Sequence, residues 1–335
     1  MKELLHLRLK FIGPLFALAA VITSCSSDDD DDDSGNWVEK SVFDGVPRSN
    51  SAAFTIGSTG YMGTGYDGDD YLKDFWAYHM GGDYWEQLPE FPGEARSAAV
   101  GFAIDGAGYI GLGYNGDTNK ELGDCYRFDT SANAWTQVAD FGGTARRAAV
   151  AFSSDSYGYV GTGYDGQNDK KDFWKYDPAN DTWEELVGFG GTKRRDATSF
   201  RIANKVYMGS GVSNGLNQDD FWVFDLDAES WTALNDLDEE DTYELVRNNA
   251  VGFSLNGKGY LALGVYSSSS TSSVWEYDPS DDTWEEKTSF EGVSRQGSVA
   301  FYNDEMAFIA LGRSGTLYLD DTYQFFPNEE YNEDD

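Results

Sequence analysis

The chain has 335 residues, of which 16% are aromatic, 38 are glycine and only 7 are proline. This composition excludes a disordered polymer, a collagen-like chain and a proline-rich linker, and it favours many short strands joined by tight turns. The formal net charge of −35 argues against nucleic-acid binding, because so acidic a chain repels a phosphate backbone.

The first 24 residues have the pattern of a secretory signal. Three basic residues, Lys2, Arg8 and Lys10, precede an apolar stretch at 11–22 that is too short to span a bilayer. The sequence ITSC, which ends at Cys25, resembles a bacterial lipobox. The resemblance implies a signal peptide at 1–24, a lipid anchor on Cys25 and no transmembrane helix in the mature protein. The alternative is an ordinary secretory signal with a chance cysteine.

An acidic segment, SSDDDDDD at 26–33, follows the predicted anchor. Six like charges repel one another and keep a segment extended, so we predict a lipidated acidic linker at 25–36. The segment resembles the acidic tag that sends certain Gram-negative lipoproteins to the outer face of the outer membrane. This resemblance implies a surface-exposed outer membrane lipoprotein that touches the membrane only through its lipid. A solvated spacer is the simpler interpretation.

Most of the remaining chain consists of six repeats of about 49 residues. Each repeat has an arginine followed six residues later by phenylalanine, then an aromatic residue and a small-x-Gly step, and five of the six have an Asp–apolar–aromatic step. The arginines are Arg48, Arg96, Arg146, Arg194, Arg247 and Arg295. The aspartates are Asp74, Asp124, Asp172, Asp220 and Asp321. Repeat five has Ser273 in place of the aspartate.

Each repeat contains four strand-like segments separated by turn residues, without a convincing amphipathic helix. Four antiparallel strands cannot bury both of their faces alone, whereas a radial arrangement lets each sheet cover the next. We therefore predict an all-β fold, a six-bladed β-propeller of four-stranded antiparallel blades. Small residues at the start of each repeat suit the innermost strands, and the closing tryptophans suit the outermost ones.

The two ends of the chain predict how the ring closes. Repeat six lacks a closing tryptophan, whereas Trp37 stands alone near the start, 11 residues before Arg48. The same interval separates Trp85 from Arg96. The segment around Trp37 is therefore predicted to supply the outermost strand of the sixth blade and to close the ring. We place the propeller at 37–327 and an acidic tail at 328–335.

The blades resemble kelch repeats. Repeat three reads GYVGTGYDG and then DFWKYDPANDTW, with glycines that end the second strand, an aromatic residue in the third and a tryptophan in the fourth. The pattern departs from the usual one in having G-x-G rather than adjacent glycines. The resemblance covers nearly the whole mature chain. It implies a monomeric propeller that binds an envelope protein or a glycan, or that acts as a scaffold.

The sequence contains no catalytic motif of the GxSxG, HExxH or CxxC type. Galactose oxidase, a kelch-type enzyme, needs two histidines and a tyrosine cross-linked to a cysteine. Here His6 lies in the predicted signal peptide and His79 is the only other histidine, so that copper site cannot be built. We predict no enzyme activity, no metal and no cofactor. A kelch-type sugar epimerase is the alternative, because an arginine and a carboxylate suffice for proton transfer.

Two groups of charged residues allow two interpretations. The repeated arginines and aspartates are predicted to lie near one face, and their recurrence favours structural ion pairs over an anion-lined channel mouth. Acidic loops such as GYDGDD and GYDGQNDK carry Asp67 and Asp165, which offer oxygen ligands for calcium. Because these loops lack EF-hand spacing, solvated turns are the simpler interpretation.

Departures from the repeat are concentrated in blades four to six. Five extra residues separate Trp231 from Arg247, repeat five has VYSSSSTSS after the glycine, and repeat six has GRSGTLYLDD. We predict that Tyr243, Tyr266 and Arg313 form the variable edge of a binding surface. Neutral drift of loop sequences is the alternative.

Overall fold

The computed structural model describes residues 34–332, which form a ring of six antiparallel four-stranded sheets. Every regular element in this part of the chain is a β-strand, and no helix there has the length and apolar character needed to cross a membrane. The predicted all-β, six-bladed propeller is confirmed. The predicted signal peptide, Cys25 and the six aspartates that follow it lie outside the described residues.

The strands follow the order of the repeats. They are β1 (Ser34–Glu39), β2 (Ala52–Ile56), β3 (Thr59–Gly63), β4 (Phe75–His79), β5 (Tyr84–Leu88), β6 (Val100–Ile104), β7 (Ala107–Gly111), β8 (Tyr114–Asn115), β9 (Lys120–Glu121), β10 (Cys125–Asp129), β11 (Ala134–Val138), β12 (Val150–Ser153), β13 (Gly158–Gly161), β14 (Phe173–Asp177), β15 (Thr182–Glu185) and β16 (Thr198–Ile202). They continue with β17 (Lys205–Gly209), β18 (Val212–Ser213), β19 (Leu216–Asn217), β20 (Phe221–Asp225), β21 (Ser230–Ala233), β22 (Val251–Leu255), β23 (Lys258–Ala262), β24 (Val265–Tyr266), β25 (Ser269–Ser270), β26 (Val274–Asp278), β27 (Thr283–Lys287), β28 (Val299–Tyr302), β29 (Ala307–Ala310), β30 (Arg313–Ser314), β31 (Leu317–Tyr318) and β32 (Thr322–Glu330).

Each blade uses four of these strands. Blades one to five are β2-β3-β4-β5, β6-β7-β10-β11, β12-β13-β14-β15, β16-β17-β20-β21 and β22-β23-β26-β27. The sixth blade is β28-β29-β32-β1. The short hairpins β8–β9, β18–β19, β24–β25 and β30–β31 extend the loops between the second and third strands of four blades.

The ring closes between strands from opposite ends of the chain. β1 pairs with β32 as the outermost strand of blade six, and Trp37 stands opposite Phe325. Trp37 is fully buried, and its ring meets Phe290 of the preceding blade edge-on at 5.0 Å. The predicted closure by Trp37 is confirmed. It gives blade six its fourth strand.

Strand pairing extends beyond the predicted limits of 37–327. β1 begins at Ser34 and β32 continues to Glu330, so the predicted acidic tail at 328–335 begins inside a strand. Backbone pairing does not require apolar side chains, and a register shift between Ser34 and Asn36 keeps the two strands together. Asn36 is buried, and its side-chain oxygen accepts a hydrogen bond from the Asn332 backbone N–H at 2.9 Å.

The apolar core is divided into six clusters, each of which lies between two neighbouring blades. Within a blade, the phenylalanine of the innermost strand stacks on the aromatic residue opposite it, as Phe102 does on Tyr109 at 5.1 Å. The glycine before that aromatic residue makes room for the adjacent blade, because a Cβ on Gly108 would lie 1.9 Å from the ring of Phe54. The fixed spacing of these residues in each repeat therefore reflects blade-to-blade packing.

Small residues line the axis, where the innermost strands approach closely. A Cβ on Gly101 would lie 2.5 Å from the backbone oxygen of Ala53 in the adjacent blade. The six innermost strands enclose a channel with a volume of about 990 Å³. Asp105, Asp155 and Arg201 line it near the turns between first and second strands. We call the opposite end the upper face; it consists of the loops before the innermost strands and the loops between second and third strands.

Candidate functional site

Six backbone hydrogen bonds form a closed ring around the axis at the upper face. Each joins a residue just before an innermost strand to its counterpart in the adjacent blade, with N···O distances of 2.8–3.2 Å. All six residues have φ between 50° and 66°, a left-handed conformation that is costly for residues other than glycine. This backbone ring consists of Asn50, Ala98, Ala148, Asp196, Asn249 and Gly297. It fixes one residue of every blade at the axis, above the channel.

Two further rings of residues surround the backbone ring. The residue after each repeated arginine pairs, through an antiparallel bridge, with the residue after the glycine of the small-x-Gly step. The first positions are Ser49, Ser97, Arg147, Arg195, Asn248 and Gln296, and the second are Tyr66, Tyr114, Tyr164, Val212, Val265 and Arg313. We call these twelve residues and the backbone ring the mouth. Its side chains differ from blade to blade although its backbone repeats.

Arginines and tyrosines alternate along the mouth between blades two and four. The Arg147 guanidinium lies 4.2 Å from the ring centroid of Tyr114 and 5.2 Å from that of Tyr164. The Arg195 guanidinium lies 4.9 Å from Tyr164. The side chains of Arg147 and Arg195 are 32% and 29% exposed, so the cations are oriented by aromatic faces and remain accessible to a ligand.

The tyrosine hydroxyls hold the loops that carry the rings. The Tyr66 hydroxyl donates to the backbone oxygen of Gly68 at 2.6 Å, and the Tyr164 hydroxyl donates to that of Gly166 at 3.0 Å. The second bond fixes the ring of Tyr164, which lies beside Arg147 and Arg195. The tyrosines therefore stabilise the shape of the mouth before a ligand arrives.

Asp196 is the only ionisable residue of the backbone ring. Its Oδ2 lies 3.7 Å from the Arg195 Nε, and 21% of its side chain is exposed. Burial raises the pKa of Asp196 to about 6, although the charges of Arg195 and Arg147 act in the opposite direction, and the nearby Asp169 adds to the rise. A carboxyl group that titrates close to neutral pH beside two arginines can accept or donate a proton.

The other acids near these arginines are already engaged. Asp169 accepts hydrogen bonds from the Arg195 guanidinium at 2.6 Å and from the Asn214 backbone N–H at 2.8 Å. Glu121 pairs with Arg147 at 3.2 Å. Within residues 34–332, by contrast, no hydrogen bond reaches the carboxylate of Asp196. That carboxylate is thus available to a ligand.

The side of the mouth formed by blades four and five carries amides. The Asn248 side chain donates to the Asn217 side-chain oxygen at 2.8 Å and accepts from the Asn249 side chain at 2.9 Å. The Asn217 amide donates in turn to the backbone oxygen of Val246 at 3.1 Å. This network fixes planar groups that carry both donors and acceptors. The mouth therefore has a side of tyrosines and arginines, in which Arg147 and Arg195 are paired with Glu121 and Asp169, and a neutral, amide side.

The six repeated arginines are fully buried below the upper face. In five blades each pairs with the predicted aspartate: Arg48 with Asp74, Arg96 with Asp124, Arg146 with Asp172, Arg194 with Asp220 and Arg295 with Asp321. In blade three, both Nη atoms of Arg146 lie 2.8 Å from Asp172, and the guanidinium covers the ring of Phe141 at 4.9 Å. With their donors engaged inside the blade, these arginines hold loops together rather than line the mouth.

The three residues predicted to form an edge of a binding surface lie apart. Tyr243 is half-buried between blades four and five, where its ring meets Trp275 at 5.3 Å and its hydroxyl accepts from the Trp284 backbone N–H at 3.4 Å. Tyr266 lies in β24, and Arg313 occupies a mouth position in β30. No hydrogen bond, ion pair or ring contact joins any two of the three in the described part of the chain. Of these residues, only Arg313 belongs to the mouth.

The mouth residues Arg147, Arg195 and Asp196 were missed by the sequence analysis. A signal for them exists, because the doublet Arg-Arg occurs at 146–147 and 194–195 in only two of six repeats. The first arginine of each doublet belongs to the repeat and the second does not. The repeat pattern identifies the blades by the residues that they share. It therefore does not reveal residues such as Arg147 and Arg195, which differ between blades.

The acidic loops considered for calcium are held by internal bonds. Asp67 accepts hydrogen bonds from the backbone N–H groups of Asp69 and Asp70 at 2.8 and 2.7 Å, and Asp165 pairs with Lys170 at 2.5 Å. Among residues 34–332, no group of three His, Cys, Asp or Glu side chains is placed to hold a metal ion. The geometry of these loops is that of turns closed by their own aspartates.

The comparisons with known proteins agree with this architecture. The family model described as the KLHDC2/KLHL20/DRC7 Kelch-repeats domain matches residues 113–242, so the kelch resemblance is confirmed there. The solved structure of YjhT superposes with a TM-score of 0.73, covering 85% of this chain and 96% of that chain. Their sequence identity is 15%, so this similarity establishes the fold alone. No curated protein matches the sequence.

Proposed function

Because this chain is a six-bladed propeller with kelch repeats, we propose that it is a binding module that holds a glycan at its mouth. The observation that carries the proposal is the alternation of Tyr114, Arg147, Tyr164 and Arg195 beside the available carboxylate of Asp196. Arginine follows the repeated arginine in two of the six blades and tyrosine occupies the facing position in three, whereas the ion pairs beneath them occur in five blades. A site for one ligand at the axis of a six-fold repeat needs such asymmetry.

The chemistry of the mouth fits a sugar better than a protein. Sugar hydroxyl groups pair with groups that both donate and accept hydrogen bonds, and the amides of Asn248 and Asn249 are of this kind. Aromatic rings offer apolar faces, and the arginines favour a ligand that carries an acidic group. Large exposed apolar residues of the upper face include Leu216 and Leu317 in the peripheral hairpins and Val46 and Val293 in loops before innermost strands, and none of these four belongs to the mouth. A protein partner would use those hairpins.

A glycan array tests this proposal. The chain from residue 34 onward is screened against neutral and acidic glycans, together with the variants Arg147→Ala and Arg127→Ala. Arg127 is a matched control, since it also pairs with an acid and its side chain is 37% exposed, but it lies within β10 away from the mouth. We expect binding to an acidic glycan that Arg147→Ala loses and Arg127→Ala keeps. Binding to a protein that is lost in Leu216→Ser would instead assign the upper face to a protein partner.

A second function, proton transfer at a sugar ring, is favoured by one observation. Asp196 combines a pKa raised to about 6 with two adjacent arginines, so it could exchange a proton with a ligand whose acidic group the arginines hold. A sugar epimerase of this type needs no cofactor. The test is an exchange assay by NMR on any sugar that the array identifies. Turnover that Asp196→Asn abolishes, with binding retained, would make the protein an enzyme.

The cell envelope is the proposed location. The support is the lipobox-like ITSC before Cys25 and the acidic run after it. Metabolic labelling with a fatty-acid analogue tests the anchor, and Cys25→Ala should abolish the label. Protease treatment of intact cells tests the orientation, since a protein on the outer surface is cleaved and one facing inward is protected.

A further inference from the structure

A groove lies beside the mouth on the upper face, at the boundary between blades three and four. It has a volume of about 790 Å³, and its lining includes Lys170, Lys171 and Lys193. Asp169 also lines the groove, and its carboxylate holds the mouth residue Arg195 at 2.6 Å. The groove and the mouth therefore share a wall, and a ligand at the mouth can extend into the groove.

Lys171 and Lys193 occupy two repeat positions that face each other across the blade boundary. Each stands immediately before the ion-pair residue of its own blade. At the boundary between blades two and three the same positions hold Gly123 and Ala145, and a Cβ on Gly123 would lie 3.4 Å from the Cβ of Ala145. The repeat thus places the backbones of the two lysines side by side, and both side chains line the same groove.

The charges of these two lysines are not neutralised within the protein. Between residues 34 and 332, no ion pair within 4.0 Å includes Lys171 or Lys193. Lys73, which is the counterpart of Lys171 in blade one, is by contrast paired with Glu90. The groove therefore holds two adjacent cations that are available to an anionic ligand.

The acids that line the groove already have cationic partners. Asp172 and Asp220 pair with the buried arginines of their blades, and each accepts an indole N–H, at 2.9 and 3.0 Å respectively. Asp169 is paired with the mouth arginine, and Lys170 pairs with Asp165 at 2.5 Å. With these pairs complete, the two remaining lysines give the groove a surplus of positive charge.

No other blade boundary has lysines at both positions. In ring order the other boundaries carry Lys73 and Ala95, Gly123 and Ala145, Asp219 and Val246, Ser272 and Ser294, and Asp320 and Pro47.

The next boundary, between blades four and five, has the opposite charge. Asp219 takes the place of Lys171 there, and burial together with the charges of Asp219 and Asp238 raises the pKa of Asp236. Charges farther apart than about 8 Å are largely screened at physiological salt. The local surplus in the groove, rather than the net charge of −35, therefore decides what binds there.

The groove cations lie close to the mouth cations along the chain. Lys193 and Arg195 flank the buried Arg194, and side chains alternate along extended backbone, so both are directed away from the interior. Their Cα atoms can be at most about 7 Å apart. A ligand held by Arg195 thus reaches Lys193 by extending a short distance, and the ring of Trp222 in the groove wall offers a surface for a second sugar.

We propose that the ligand is an acidic oligosaccharide with anionic groups on neighbouring sugars. One anionic group lies at Arg147 and Arg195 in the mouth, and the next lies in the groove between Lys171 and Lys193. Carboxylate and sulfate groups both suit these cations. This inference rests on the proposed glycan site at the mouth, and it adds that the ligand is a chain of acidic sugars rather than a single one.

Titration calorimetry with acidic sugars of different length tests the proposal. The probes are galacturonic acid, trigalacturonic acid and a heparin-derived tetrasaccharide, with fully methyl-esterified trigalacturonate as the neutral control. We expect at least one acidic oligosaccharide to bind at least about tenfold more tightly than the monomer, and the neutral trimer to lack this gain. The tighter of the two oligosaccharides distinguishes a carboxylate from a sulfate ligand.

A double variant, Lys171→Gln with Lys193→Gln, isolates the contribution of the groove. It should weaken binding of the preferred oligosaccharide about tenfold and leave binding of the monomer unchanged. The matched control is Lys120→Gln with Lys205→Gln, which removes the same charge from two exposed lysines in β9 and β17, outside the groove. The control should bind every probe as the wild type does, and equal Tm values show that both variants are folded.

Failure of this inference and failure of the mouth site give different results. An unchanged affinity of the groove variant for the oligosaccharide, an equal loss in the control, or no binding of either acidic oligosaccharide to the wild type would overturn the groove site. If Arg147→Ala abolishes oligosaccharide binding and the groove variant does not change it, the mouth site stands alone. If the groove variant weakens binding and Arg147→Ala does not, the groove binds the anion and the proposed site at the mouth is wrong.

Discussion

Trp37 and Phe325 stack with their ring centroids 4.5 Å apart, although they come from opposite ends of the described chain. This contact joins the first strand to the last blade. Trp37→Ala removes a fully buried ring and should lower the free energy of unfolding by about 4 kcal/mol, measured by denaturant titration. Hydrogen exchange should also show β1 opening first.

Trp183→Ala is the matched control for this variant. Trp183 stands on the outermost strand of blade three, where all four strands are consecutive in the chain. It should lose stability without selective opening of β1. If β1 is equally protected from hydrogen exchange in Trp37→Ala and Trp183→Ala, Trp37 does not hold the ring closed.

The ion pair of Arg146 and Asp172 should make a large contribution to stability, because the arginine is fully buried. Asp172→Asn leaves that charge without a counterion and should cost about 3 kcal/mol at neutral pH. Asp155→Asn removes an acid whose side chain is 94% exposed and should cost less than about 0.5 kcal/mol. Equal losses of unfolding free energy in the two variants would mean that the repeated ion pair contributes no more to stability than an exposed acid does.

The pair of Arg146 and Asp172 also predicts an acid dependence. Burial favours the neutral carboxyl, but the hydrogen bond from Arg146 and then that from Trp174 outweigh it and lower the pKa of Asp172 below 3.8. A lowered native pKa gives stability that is present above pH 3.8 and is lost as the pH falls through the native value. The difference between wild type and Asp172→Asn should therefore shrink in acid. A difference that stays constant down to pH 2 would contradict this.

The pH dependence of stability that Asp196 contributes should have the opposite sign. Its pKa is raised from 3.8 to about 6 by burial, so the native state binds the proton more tightly than the unfolded chain does. Stability from this group is present below pH 3.8 and is lost as the pH rises towards 6. Asp196→Asn should stabilise the protein by about 2 kcal/mol at pH 7, allowing for the exposed fifth of the side chain, and should have no effect near pH 3.

Unfolding curves of wild type and Asp196→Asn at the two pH values provide the measurement. A variant that is more stable yet loses ligand binding would show that Asp196 is retained for function at a cost in stability. A variant that is destabilised at pH 7 would show that the carboxylate instead supports the backbone ring.

Close approach of the innermost strands predicts an intolerance of side chains at the axis. Gly101→Ala places a Cβ 2.5 Å from the Ala53 backbone oxygen and should cost about 2 kcal/mol in thermal unfolding. Gly81→Ala is the control, because a Cβ there meets no atom within 4 Å. That variant should stay within about 0.5 kcal/mol of wild type. Equal stabilities would mean that neighbouring blades can separate to admit a methyl group.

The architecture could be predicted from the sequence because blade packing uses the same residue at the same step of every repeat. Gly108 and Phe54 illustrate this, since the glycine exists to admit a ring from the adjacent blade. The mouth could not be predicted in this way. Asp196 and Arg195 differ from the residues at the same positions of the other repeats. The repeat pattern does not show which of these differences lie together at the axis. Tyr243 packs between blades four and five rather than at the mouth, and the sequence does not show whether such an insertion extends outward or folds back.

The central claim, that the ligand binds at the mouth, is tested most directly by the dissociation constants of one array-identified glycan for wild type, Arg147→Ala and Arg127→Ala. The Arg147 and Arg127 side chains are 32% and 37% exposed, and each is paired with an acid, so the two variants differ mainly in location. We predict binding at least about tenfold weaker for Arg147→Ala and unchanged binding for Arg127→Ala. Unchanged binding by Arg147→Ala, or an equal loss in both variants, would contradict a site at the mouth.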